Sequence, residues 1–135
     1  MSSSPTERCL ERLRKDGAWA GVVERFIKNH RARDRKQLRP GHRKDLFGII
    51  DIVAITDEHT IGVQACAGSG LSAHRDKMLE NPEAVMRWLR CPSRKLELWA
   101  WRKLARKGNR IWFARREDVV VESGVIQFRV IDPHY

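Results

Sequence analysis

The alternation of apolar and polar residues along this chain predicts three helical stretches. The first is expected over 5–15, because Ser4 can cap its first turn, proline suits a first helical position and Gly17 stops the helix. Apolar residues at helical spacing predict two more, from about 72 to 81 and over 83–90, with Pro82 between them. The chain therefore has helices in its first half and in its middle.

Strands are predicted where apolar runs or strict alternation lie between turn residues. They cover 18–27, a hairpin over 47–66, 95–102, about 110–116 and about 125–131. The charged segment 28–44 is expected to be loop. At 135 residues the chain is expected to form one domain. The predicted fold is α/β, with a small mixed β-sheet, flanking helices and a β-rich C-terminal extension.

Two polar side chains interrupt the apolar strands of the hairpin. Asp51 stands within Ile-Ile-Asp-Ile-Val, and Gln64 stands within the second strand. A carboxylate in such a run is costly to bury without a cation or hydrogen bonds. If the polar turn at 57–60 pairs residue i with residue 117 − i, Asp51 lies opposite Cys66. Asp51, Gln64 and Cys66 then share one face of the sheet.

A metal ion with oxygen ligands is the simplest compensation for Asp51, and Mg²⁺ or Mn²⁺ is expected. Gln64 can supply a second ligand, but one carboxylate and one amide carry little negative charge. Glu24, which follows two valines in the strand beside the hairpin, is the preferred further acid. The other candidates are Glu7, Glu11 and Asp45. In the alternative interpretation, backbone amides satisfy Asp51 and Gln64 is a surface residue.

The charge of the chain indicates a polyanionic partner. The net charge is +10, with nine Lys or Arg in 25–44 and eleven in 87–116. Nucleic acid is favoured over a membrane surface, and DNA over RNA. The residues expected to contact it are Arg31, Arg33, Arg35, Lys36, Arg43, Lys44, Ser69, Arg75, Arg102 and Lys103. The tryptophans interleaved with the second basic segment are expected to be core residues rather than platforms for bases.

Neither a membrane segment nor an oxidising environment is indicated. No apolar stretch reaches the length of a membrane span, and the N-terminus lacks the apolar region of a signal peptide. The three cysteines are widely spaced and form neither a disulfide framework nor a zinc pattern. A reduced, cytoplasmic protein is expected, and a homodimer is compatible with the sequence.

The buried Asp51, the hairpin, Gln64 two positions before Cys66 and the order helix–strand–hairpin–helix–strand resemble the PD-(D/E)xK, or restriction-endonuclease-like, nuclease superfamily. The segment 43–51, with Gln64 and the Gly-Ser-Gly turn, looks like small phage-type Holliday-junction-resolvase-like nucleases. The resemblance spans roughly 5–104. It implies an αβββαβ core and metal-dependent hydrolysis of DNA phosphodiesters, with branched DNA as a candidate substrate.

By this resemblance Asp51 is a metal ligand and Gln64 takes the position of the second acid. Cys66 stands where the motif lysine is expected, and a thiol cannot supply its positive charge. Lys77, on the following helix, is the candidate replacement, so the expected catalytic set is Asp51, Gln64, Lys77 and Glu24. Two alternatives remain: a catalytically inactive nucleic-acid-binding protein of the same fold, and a non-enzymatic basic nucleoprotein.

Overall fold

The computed structural model of the chain describes residues 3–27 and 42–132 and has an α/β fold. In this part of the chain the helices are α1 (Pro5–Lys15), α2 (Leu71–Leu79) and α3 (Pro82–Leu89), with a 3₁₀ turn at Gly68–Gly70. The strands are β1 (Trp19–Val22), β2 (Arg25–Ile27), β3 (His42–Lys44), β4 (Ile52–Ile55), β5 (Thr60–Ala67), β6 (Arg94–Arg106), β7 (Asn109–Glu122) and β8 (Val125–Asp132).

Helix α1 begins and ends where the sequence predicts, because capping residues fix its start and a glycine follows its end. The Ser4 hydroxyl accepts a hydrogen bond from the Glu7 amide, and the Glu7 carboxylate accepts one from the Ser4 amide. This capping box satisfies two amides that the first turn would otherwise leave unpaired. The helix stops before Gly17, whose φ of +94° suits glycine. Cys9 and Leu13 form its buried stripe.

Six strands form one mixed sheet in the order β1-β4-β5-β6-β7-β8, which confirms the predicted α/β class and mixed sheet. Strands β5 and β6 are parallel and are joined through α2 and α3, while the other neighbours are antiparallel. Strands β2 and β3 pair separately. β7 and β8 form the predicted β-rich extension at one edge of the sheet.

Two predicted segments differ from the structure. The strand expected over 18–27 is interrupted, because the amides of Val23 and Glu24 both donate to the Asp51 carbonyl, at 2.8 and 3.3 Å, instead of continuing the ladder. Residues 42–44 were expected to be loop but pair with β2. The rest of that predicted loop, 28–41, lies outside the described residues.

The register of the β4–β5 hairpin differs from the prediction by two residues. Ile52 pairs with Val63, so Asp51 comes opposite Gln64 rather than Cys66. The turn begins one residue earlier than expected, because the Thr56 hydroxyl accepts hydrogen bonds from two amides of the turn, one of them from His59 at 3.0 Å. A shift of two leaves every side chain on its predicted face. Asp51, Gln64 and Cys66 therefore still share a face.

Each face of the sheet is covered by helices. The core on the α1 side includes Cys9, Leu13, Ile52, Val63, Trp99 and Trp101. The core on the α2–α3 side includes Ile49, Ile50, Met78, Val85, Leu96 and Val119. Trp99 and Trp101 are core residues, as expected. Asp51 and Gln64 lie on the α2–α3 side, so the candidate site is enclosed between the sheet and α2.

Candidate metal centre

Three carboxylates meet at the end of the β4–β5 hairpin. Oxygen atoms of Glu24, Asp45 and Asp51 all lie within 4.8 Å of one another. The sequence favoured Glu24 beside Asp51 and held Asp45 as an alternative, and the structure brings both to Asp51. Glu7 and Glu11 are not part of this cluster. Glu7 instead completes the cap of α1, on the other side of the sheet.

Backbone hydrogen bonds bring the three acids together. The Asp51 amide donates to Val63, at 2.9 Å, and the Asp51 carbonyl accepts from Glu24, so both acids are fixed to the hairpin. Asp45 begins a tight turn in which the Gly48 amide donates to the Asp45 carbonyl at 3.2 Å. Phe47 and Gly48 have positive φ, of 56° and 76°, which reverses the chain within a few residues. Asp45 thus returns to the side of Asp51.

The Asp51 carboxyl is only 4% exposed and is fixed by two hydrogen bonds. Its Oδ2 accepts from Gln64 Nε2 at 2.5 Å and from the Ala65 amide at 2.9 Å. Burial, followed by the hydrogen bond with Asp45, raises the pKa of Asp51 to about 8. Burial also acts to raise the pKa of Asp45, but hydrogen bonds from Asp51 and Lys77 outweigh it and leave that pKa below its ordinary value. Without a cation, the two aspartates therefore share a proton held mainly by Asp51.

Gln64 has a buried oxygen that suits a cation. The residue is 1% exposed, and its amide contacts both Asp51 and Asp45. Its Oε1 has no hydrogen-bond partner among the described residues. An unpaired buried carbonyl costs about 1–3 kcal/mol. A cation held by the neighbouring carboxylates would satisfy it, so the donor set of the cluster fits a hard metal ion.

Lys77 supplies a positive charge at this cluster. Its ammonium forms an ion pair with Asp45 Oδ2, and its side chain stays partly exposed. Cys66, where the resemblance expects a lysine, is buried, and burial raises the pKa of its thiol to about 12, so it stays neutral. His74, on the same face of α2, contacts the Gly70 carbonyl at 2.9 Å and holds the start of the helix.

The residues expected to contact nucleic acid are placed unevenly. Lys44, Ser69, Arg102 and Lys103 are exposed. Arg31, Arg33, Arg35, Lys36 and the side chain of Arg43 lie outside what the structure describes. Arg75 is already engaged, since its Nε donates to Glu117 Oε1 at 2.8 Å. Its guanidinium therefore links α2 to β7.

Two buried acids in the sheet were missed by the sequence interpretation. Glu117 is fully buried between Arg75 and Arg115, and Glu97 accepts hydrogen bonds from Trp99 and Arg116. Burial acts to raise the pKa of Glu117, but its hydrogen bonds from the two arginines lower it overall. The sequence pattern that could have identified them is a carboxylate on β6 and another on β7 at a position where strand alternation predicts a buried side chain. Glu117 ties α2 to β7 on the same side of the sheet as the site, and Glu97 ties β6 to β7 on the α1 side.

No known protein family, no curated protein and no solved structure matches this chain. Within residues 3–27 and 42–132, no helix is long and apolar enough to cross a membrane. The chemistry of the carboxylate cluster therefore has to be inferred from its own geometry.

Proposed function

We propose that this protein is a metal-dependent nuclease of the PD-(D/E)xK type that hydrolyses DNA phosphodiester bonds. The observation that carries the proposal is the meeting of Glu24, Asp45 and Asp51 within 4.8 Å, with Lys77 paired to Asp45. Acidic clusters occur without metals, but this one adjoins a buried glutamine oxygen that lacks a partner. The combination favours a cation site over a purely structural cluster.

The order of elements supports the same proposal. Helix α1, strands β1, β4 and β5, helix α2 and strand β6 follow one another along the chain in the αβββαβ order implied by the resemblance. The small β2–β3 sheet and α3 are additions to that order. Asp51 directly precedes β4 and Gln64 lies on β5, which agrees with the positions that the resemblance gives to the motif acids.

Mg²⁺ or Mn²⁺ fits the charge as well as the donor atoms. Three carboxylates and one ammonium leave a net charge of −2 when all are ionised. The ligands would be Glu24, Asp45 and Asp51, with Gln64 Oε1 as a neutral fourth. When bound, the ion would lower the pKa of a bound water and neutralise charge on the scissile phosphate.

The side chains of the site have separate tasks in this proposal. Asp51 must give up its proton to become a ligand, and the hydrogen bonds from Gln64 and Ala65 keep its carboxylate oriented. If Asp45 served as a ligand, the Lys77 ammonium beside it would be placed to reach a phosphate oxygen, where a positioned charge stabilises the transition state.

Exposed cations and a hydroxyl around the site supply contacts for the DNA backbone. Lys44 directly precedes Asp45, and Ser69 lies at the start of α2. Arg102, on β6, lies beside Gly68, whereas Lys103 lies over the Trp112 ring on the α1 side of the sheet. Such contacts position a duplex or branched substrate without reading its sequence. The net charge of +10 adds long-range attraction for any DNA.

The test is cleavage of supercoiled, linear, single-stranded and four-way-junction DNA, with Mg²⁺, with Mn²⁺ or with EDTA. Metal-dependent cleavage is expected for the wild-type protein and for Asp57→Asn, which changes an exposed acid of the hairpin turn. Asp51→Asn should lose cleavage while binding DNA within a few-fold of the wild-type affinity.

Binding without cleavage by the wild-type protein in either metal would instead support the inactive nucleic-acid-binding alternative, which the neutral Cys66 favours. Cleavage by Asp51→Asn at the wild-type rate would show that the site is wrongly assigned. Absence of DNA binding would exclude all forms of the proposal.

A further inference from the structure

We propose that a second site, on the α1 side of the sheet, binds a phosphate group through Arg8. It is a cavity of about 230 Å³ between α1 and the β6–β7 hairpin. Its lining residues are Ser3, Arg8, Glu11, Arg12, Lys15, Trp101 and Trp112. The carboxylate cluster lies on the other side of the sheet, so this inference is independent of the nuclease proposal.

Arg8 is a buried cation that forms no ion pair with a carboxylate of the described residues, although the charge of Glu7 acts on it. The residue is 8% exposed, and its Nε has no hydrogen-bond partner in the part of the chain that the structure describes. No carboxylate among these residues forms an ion pair with it. Burial lowers the pKa of its guanidinium, the direction expected for a charge that is desolvated and not fully compensated. Buried arginines are rarely left unpaired, because desolvation of the charge is costly.

The other inward-facing arginines of this fold show the ordinary arrangement. Arg75 binds the buried carboxylate of Glu117, and Arg116 binds that of Glu97. Arg94 is held in another way, by the backbone carbonyls of Trp88 and Arg87. Within the described residues Arg8 has neither kind of partner at Nε, and it lines a cavity instead. This contrast points to an external anion as its partner.

The geometry around Arg8 presents its edge to a ligand. The guanidinium carbon lies 3.4 Å from the centre of the Trp112 ring, so the flat faces stack. Stacking occupies a face of the guanidinium. Because Nε itself has no exposed surface, the terminal N–H groups are the ones that can donate to an acceptor in the cavity. Two such groups side by side match two oxygens of a phosphate. Lys103, 5.5 Å from the centre of the same ring, adds a further cation at the mouth of the hairpin.

The net positive charge of the residues that line the cavity suits an oxyanion with more than one negative charge. Arg8, Arg12 and Lys15 face a single acid, Glu11, which leaves +2 when all are ionised. Arg12 also contacts Asp16, at 3.3 Å, in an exposed pair that contributes little. The ligand is therefore a phosphate group, carried either by a nucleic-acid backbone or by free phosphate.

The first test measures thermal unfolding with inorganic phosphate against chloride at matched ionic strength, in EDTA. At about ten times its dissociation constant, phosphate should raise the Tm of the wild-type protein by roughly 3–6 °C. Arg8→Gln should lose most of this rise, and Arg8→Lys should recover only part because lysine lacks the paired N–H edge. Arg90→Gln, which removes an exposed arginine at the end of α3, should keep all of it. An equal rise in Arg8→Gln and wild type would overturn the proposal.

Two further measurements complete the test. In the wild-type protein, the NMR signals of the Arg8 guanidinium N–H groups should shift with phosphate, a result that does not depend on how the variant folds. If none of these signals moves, the proposal is overturned. Binding of a short unphosphorylated oligonucleotide identifies the source of the group. If the site holds a backbone phosphate, Arg8→Gln should flatten the log–log salt slope by about 0.9 on duplex DNA. An unchanged slope together with the phosphate-dependent rise in Tm would assign the site to free phosphate.

Discussion

The proton shared by Asp45 and Asp51 should make the metal-free protein less stable as the pH rises. Asp51 has a pKa of about 8 when folded, against an ordinary value of 3.8. The folded state therefore holds one more proton than the unfolded state between these values. Linkage then lowers the free energy of unfolding by up to about 1.4 kcal/mol per pH unit. This contribution is complete below the unfolded pKa and is lost as the pH rises through the folded pKa.

Asp51→Asn should remove this dependence. The asparagine has the shape of the neutral aspartic acid: its oxygen can accept from Gln64 and Ala65, and its amide can donate to Asp45. Between about pH 5 and about pH 7, the wild-type protein should lose roughly 2–3 kcal/mol relative to the variant. Comparing the two proteins cancels the contributions of the ionisable groups that they share.

The assay is urea unfolding in EDTA at several pH values, repeated with saturating Mg²⁺. Magnesium should stabilise the wild-type protein at the higher pH and leave Asp51→Asn nearly unchanged. Asp57→Asn, an exposed acid in the hairpin turn, should follow the wild-type curve in both series. Parallel pH curves for wild type and Asp51→Asn would refute the buried-proton argument. Equal stabilisation of the two by Mg²⁺ would refute the assignment of Asp51 as a ligand.

Three further substitutions test other parts of the structure. Lys77→Met should lower single-turnover cleavage by about 100-fold or more without weakening Mg²⁺ binding, and Lys77→Arg should retain more activity; full activity of the methionine variant would exclude the catalytic role. Glu117→Gln should reduce the free energy of unfolding by roughly 3 kcal/mol in urea, because Arg75 loses its buried anion. Gly62→Ala should lower the free energy of unfolding by about 1–3 kcal/mol in the same assay, since its Cβ would lie 2.7 Å from Ile50 Cδ1; wild-type stability in either variant would contradict the packing described.

Features governed by neighbouring residues were predictable from the sequence. The bounds of α1 depend on Ser4, Pro5 and Gly17, all within or next to the helix, and the predicted range is the observed one. The shared face of Asp51 and Gln64 depends only on the two-residue period of strands. The hairpin register could not be predicted in the same way, because the polar residues around the turn allow more than one loop position. The side-chain hydrogen bonds of Thr56 select among them.

Features that join distant segments could not be located in this way. Asp45 reaches Asp51 only because Phe47 and Gly48 adopt positive φ, and Phe47 gives no sign of this in the sequence. Arg75 and Glu117 are separated by 42 positions along the chain, so neither predicts the other. The sequence identified residue types suited to the site, and tertiary packing decided which of them meet.

The cation of the candidate site comes from α2 because position 66 has no room for one. Cys66 is 3% exposed and packs with Leu98, Ala100 and Leu71, the first residue of α2. An ammonium there would be desolvated beneath the helix, at a cost of several kcal/mol. Lys77 lies further along the same helix with its side chain 39% exposed, so its stem packs on protein while its ammonium reaches Asp45 from the solvent side. Helix α2 covers position 66, where a charged side chain would be desolvated, and the same helix carries Lys77 to the acids. The cysteine at position 66, where the resemblance expects a lysine, therefore does not imply that the site lacks a cation.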